Sequence, residues 1–85
     1  MAKKIGYHLT EIEKGVLGDS SKILEEILEL QDAEKQDCKV MALVELSDLI
    51  GAVMAYLEKH HAGIELYDLE SMALITKRAF ENGRR

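Results

Sequence analysis

Residues 20–36, SSKILEEILELQDAEKQ, and residues 40–57, VMALVELSDLIGAVMAYL, decide the fold. In the first stretch Ile23, Leu24, Ile27, Leu28 and Leu30 recur at the three- and four-residue spacing of an α-helix. Glu25, Glu26 and Glu29 fall within one 100° arc opposite them, with Lys22 inside that arc. Gly18-Asp19-Ser20-Ser21 is a helix start, since Asp or Ser can cap the first exposed amides, so the pattern predicts a helix over about 20–36. Asp37 can cap a second helix, which runs through the apolar stretch to about His60 and is broken by Ala62-Gly63. A third begins near Tyr67 or Asp68 and ends near Asn82, with Gly83 as its left-handed terminator.

The segment 1–18 has no helical periodicity and holds Gly6, Gly15 and Gly18, which predicts an irregular N-terminal segment ahead of one helical domain at 19–85. The expected class is therefore all-α, an antiparallel hairpin plus a third helix. A chain of 85 residues buries a small share of its surface, and the second helix is apolar on every side. Two neighbours cannot cover it, so the bundle core of four helices is expected to close by oligomerisation, as a homodimer or homotetramer. Gly51 in that helix suggests a close helix approach.

Composition narrows the function classes. The net charge is −5, and residues 77–85 carry Lys77, Arg78, Arg84 and Arg85 against Glu81, so the remainder stands at −8. An acidic body argues against stable nucleic-acid binding, which runs on phosphate neutralisation. The short basic end suits a small polyphosphate. Cys38 is the sole cysteine, so no internal disulfide is possible, and no apolar run follows Lys3 and Lys4 to make a signal segment. Residues 40–57 are apolar enough to raise a membrane question, yet Glu45, Ser47 and Asp48 sit mid-stretch, where lipid would penalise them. The expectation is a cytoplasmic protein that does not enter a membrane.

The acidic stripe of the first helix, alone, reads as a solvated face. Glu45 and Asp48 change that reading, because they are the only charges between Val40 and Leu57 of a helix expected to be buried, and they lie one turn apart on one face. Buried carboxylates are tolerated when paired or bound to a metal. The acidic centre of the first helix lies about ten residues before the turn near Asp37 and that of the second about ten after it. In an antiparallel hairpin both stand roughly 15 Å from the turn. Glu26, Glu29, Glu45 and Asp48 can then converge on one point, and oxygen-only ligation of this kind suits Mg²⁺, with Mn²⁺ as a substitute.

The pattern Lys22-Ile-Leu-Glu25-Glu26-Ile-Leu-Glu29-Leu30 followed by Glu45-Leu-Ser-Asp48 resembles the EExxE…ExxD signature of the all-α nucleotide pyrophosphohydrolases, which include MazG, the dimeric dUTPases and phosphoribosyl-ATP pyrophosphohydrolase. The end, Thr76-Lys77-Arg78-Ala-Phe80-Glu-Asn82-Gly-Arg84-Arg85, looks like the basic tail of MazG-like chains, and the likeness covers roughly residues 15–85. It implies Glu26, Glu29, Glu45 and Asp48 as Mg²⁺ ligands, Glu25 as a catalytic residue that helps hold a second ion or the attacking water, and Lys22, Lys77, Arg78 and Arg84 as phosphate contacts. The implied reaction is water attack on a (deoxy)nucleoside triphosphate, giving the monophosphate and pyrophosphate, in nucleotide-pool house-cleaning. The alternative is a non-catalytic helical oligomer or regulatory module that retains a carboxylate metal site. A di-iron bundle is disfavoured, because none of Glu25, Glu26, Glu29 and Glu45 is followed three residues later by His. His60 and His61 read as helix-end charges and His8 as an isolated side chain without a metal role.

Overall fold

The computed structural model describes residues 8–83, and its regular elements there are three helices: α1 (Ser20–Lys35), α2 (Lys39–His60) and α3 (Leu66–Glu81). α1 starts at Asp19, as its residue types dictate, but the cap differs in detail. The Asp19 carboxylate makes no bond to the first turn and instead accepts from Lys59 Nζ at 2.7 Å, tying the start of α1 to the end of α2. α3 is locked by Asp68, whose carboxylate accepts the Glu65 amide at 2.8 Å. Gly83 takes the left-handed conformation expected of it (φ 72°).

The α1–α2 connection corrects one expectation. Asp37 does not cap α2, because it occupies the left-handed region itself (φ 55°), where Asp is among the better tolerated residues after glycine. Cys38 stands at the cap position without a side-chain bond. A three-residue connector between helices that pack along each other makes the pair antiparallel. α3 packs lightly against α2 and does not meet α1.

Residues 8–18 form an irregular strap running antiparallel along α1. The amides of Leu9 and Thr10 both donate to the Asp32 carboxylate, at 2.8–3.1 Å, and the Gly15 amide donates to Glu25 Oε1 at 2.9 Å. Val16 N–H donates to Ser21 Oγ at 3.0 Å. The fit against α1 is tight at Gly15, where a Cβ would lie 2.2 Å from the Ser21 carbonyl oxygen. Two acids on one flank of α1, seven residues apart, thus grip the strap at both ends.

Burial inverts the usual amphipathic rule. Among the described residues the buried apolar side chains are Ala33, Ala52 and Leu57, whereas Glu25, Glu26, Asp32 and Glu45 are buried acids. Leu24, Ile27 and Leu28 of α1 face outward, and so do Val40, Leu43, Val44, Leu46, Ile50 and Met54 of α2. The expectation that α2 is buried is therefore not met within one chain. Gly51 likewise has nothing within 4 Å of where a Cβ would stand, so no helix approaches it here. The Cα radius of gyration is 15.0 Å, against about 12 Å for a compact domain of this length. α2, with 22 residues and an 18-residue stretch of mean hydropathy 1.8, is long and apolar enough to cross a membrane by length and composition.

Candidate metal centre

The centre is made by counting residues from the turn. Glu26 lies eleven residues before Asp37 and Asp48 eleven after it, while Glu29 and Glu45 each lie eight away. In an antiparallel pair these positions come level, and Glu26 with Glu29, or Glu45 with Asp48, share a face because three residues make nearly one turn. One carboxylate oxygen from each of the four lies within 4.8 Å of the others. The acidic stripe of α1 that resembled a solvated face is thus partly the inner seam of the hairpin.

Burial within the cluster is graded. The Glu45 side chain is 0% exposed, Glu26 5% and Glu29 14%. Asp48 is exposed, contrary to the expectation that it shares the burial of Glu45, because no second helix covers its side of α2 in one chain. Glu26 Oε1 is buried and accepts no hydrogen bond, while its Oε2 lies 3.4 Å from Lys22 Nζ. Burial, then the neighbouring Glu45 and Glu26 carboxyls, push Glu29 up to about 8, so the metal-free cluster retains a proton at neutral pH. Crowded, desolvated oxygens with an unsatisfied lone pair are a donor set that fits a hard divalent cation.

The other residues marked by the sequence are distributed differently. Glu25 belongs to the strap: burial raises its carboxyl, but the Gly15 amide, then Lys22 and Lys14, outweigh this and hold it below the usual carboxylate range. It lies outside the four-carboxylate group. Lys22 bridges the two sets, its ammonium 3.1 Å from Glu25 Oε1 and held more basic than usual chiefly by that bond. It opens on a cleft that Leu17, Glu26, Ser47, Asp48, Gly51 and Ala52 also line. Lys77 and Arg78 are exposed on α3, where Lys77 pairs with Glu81, and neither lines that cleft. Arg84 lies outside the described residues.

His8 and Asp32 were not legible as parts of this site. His8 Nε2 stands 3.8 Å from Glu45 Oε2 and 3.9 Å from Glu29 Oε2, and His8 Nδ1 stands 3.6 Å from Asp32 Oδ1. Burial raises Asp32, yet bonds from Leu9, Gln36 and Thr10 prevail and hold it down to about 2. The available signal was Asp32 itself, which extends the Glu25 flank of α1 by two turns. Compared with models of protein families, with curated proteins and with solved structures, the chain matches none of them.

Proposed function

We propose that this chain is a divalent-cation-dependent nucleoside triphosphate pyrophosphohydrolase of the MazG-like kind, acting as a homo-oligomer in the cytoplasm. The observation that carries the reading is the convergence of Glu26, Glu29, Glu45 and Asp48, level across an antiparallel hairpin, beside a cleft with a lysine at its side. In this reading the four carboxylates hold Mg²⁺ or Mn²⁺. When bound, the cation lowers the pKa of water at the centre and neutralises the leaving pyrophosphate.

The chain's own residues supply the rest. Lys22 presents its ammonium to the triphosphate in the cleft, and Gly51 keeps the cleft wall free of a side chain. Glu25, to which the resemblance assigns a second ion or the attacking water, contributes here by holding Lys22 and the strap in place. Exposed Asp48 and the uncovered faces of α2 are the sides a second copy covers, and α3 of that copy brings Lys77 and Arg78 toward the phosphates. With those faces covered, the apolarity of α2 reflects assembly, and Glu45 and Asp48 at its middle make a lipid setting costly.

The test is pyrophosphate release from a panel of ribo- and deoxyribonucleoside triphosphates, with Mg²⁺, with Mn²⁺ and in excess EDTA, for the parent and Glu45→Gln. Metal-dependent release that the substitution abolishes supports the reading. Full activity in EDTA, or a Glu45→Gln variant that turns over like the parent, overturns it. Metal binding without release from any nucleotide assigns the chain to the non-catalytic module.

A further inference from the structure

We infer that His8 is a nitrogen ligand of the same centre, and that it directs the site toward a first-row transition cation such as Mn²⁺ or Co²⁺ in preference to Mg²⁺. The inference rests on the reading of the carboxylates as a metal centre. His8, Glu29 and Glu45 each offer one ligand atom within 4.8 Å of the others, and the two glutamates are shared with the four-carboxylate group. The Nε2-to-oxygen separations of 3.8 and 3.9 Å exceed hydrogen-bonding distance. Two ligands of one ion with bonds of about 2.0–2.2 Å stand no more than about 4.3 Å apart, so both separations accommodate a shared cation.

The surroundings of the imidazole match what a metal-bound histidine needs. Its second nitrogen, Nδ1, faces Asp32 Oδ1 at 3.6 Å, just outside hydrogen-bonding distance, on the side from which a carboxylate orients a metal-bound imidazole. Asp32 is itself immobilised by the Leu9 and Thr10 amides, the Thr10 hydroxyl and Gln36 Nε2, which donates at 2.7 Å. Because Leu9 and Thr10 directly follow His8, backbone bonds set the imidazole at the cluster independently of its attraction to the acids. The side chain is only 13% exposed. Glu26 Oε1, buried in the same cluster without a hydrogen bond, is an independent mark of a position suited to a cation. Imidazole suits Fe²⁺, Zn²⁺ and the neighbouring Co²⁺, and Mn²⁺, which favours oxygen, still accepts a nitrogen ligand more readily than Mg²⁺, which keeps to oxygen and water.

The competing role for His8 is a counter-cation for the acids, and it has the opposite consequence for affinity. The experiment is calorimetric titration of Mn²⁺, Co²⁺ and Mg²⁺ into the parent, His8→Ala and His8→Gln, with circular dichroism to verify folding and pulsed electron paramagnetic resonance on the Mn²⁺ forms. A ligating His8 gives a ¹⁴N coupling in the parent that both variants lose. It also gives a loss of at least about tenfold in Mn²⁺ and Co²⁺ affinity, with Mg²⁺ affinity changed far less. Unchanged or tighter binding of all three ions by the variants, or an equal loss for all three, overturns the inference while leaving the carboxylate centre intact. A folded parent that binds none of the ions overturns both.

Discussion

Stripped of divalent ions, the protein should become less stable as pH rises from about 5 to 8. Glu29 titrates near 4.5 in the unfolded chain and is pushed to about 8 in the folded one, by burial and then by Glu45 and Glu26. A folded state that holds the proton more tightly draws its full stabilisation below pH 4.5 and loses it as pH climbs toward 8. Each unit within that window removes about 1.4 kcal/mol, so the loss between pH 4.5 and 7 is on the order of 3 kcal/mol. Asp32 and Glu25, whose carboxyls are held low, act in the other direction below pH 4.5, which places the metal-free optimum near that value. A cation that takes the place of the proton should remove the slope. At pH 7 its binding should release about 0.9 proton per ion, the protonated fraction of a group with a pKa near 8. Urea denaturation in EDTA across pH 5–9, repeated with saturating Mn²⁺, measures the first effect. Calorimetry in two buffers of different ionisation heat measures the second. Glu29→Gln, which imitates the protonated side chain, should abolish both. Metal-free stability that is flat or rising between pH 5 and 8, together with no proton release, would refute the crowding of Glu26, Glu29 and Glu45.

Lys22→Met should weaken triphosphate binding by about tenfold, equivalent to about 1.4 kcal/mol, and steady-state kinetics should place the change in KM more than in kcat. Gly51→Ala adds a methyl where nothing lies within 4 Å, so thermal melting should show a gain of about 0.5–1 kcal/mol in stability, while a narrower cleft lowers substrate affinity. Light scattering at micromolar concentration should give a dimer or larger, and Ile50→Lys, on the outward face of α2, should shift the protein toward monomer without changing its helix content.

The helices and their register were legible because both depend on counting. Alternation of Ile23, Leu24, Ile27 and Leu28 against Glu25, Glu26 and Glu29 sets the helix, and equal distances from the Asp37 turn set Glu29 level with Glu45. What was not legible is what pairs with those acids across the chain. Glu25 and Asp32 look like the same solvated stripe as Glu26 and Glu29, yet a modest turn of the helix axis sends one pair to the strap and the other to α2. The strap has no period of its own, so the bonds from Leu9, Thr10 and Gly15 that define it, and the place of His8, leave no trace in spacing. Asp48 was misjudged for a related reason: an apolar helix announces that it will be covered, and not by which chain.

The outward apolar faces decide how denaturation of this protein should look. A lone copy keeps Leu24, Leu43, Ile50 and Ile75 in water even when folded, so unfolding it adds little newly hydrated hydrocarbon. Its heat-capacity change should be small and its free energy should depend only weakly on urea concentration, since both scale with the surface that unfolding exposes. Once those faces are sealed in an assembly, the same transition must hydrate them, and it sharpens. The steepness of the curve, followed as protein concentration is raised, therefore reports association directly, while the midpoint mixes it with metal and proton binding.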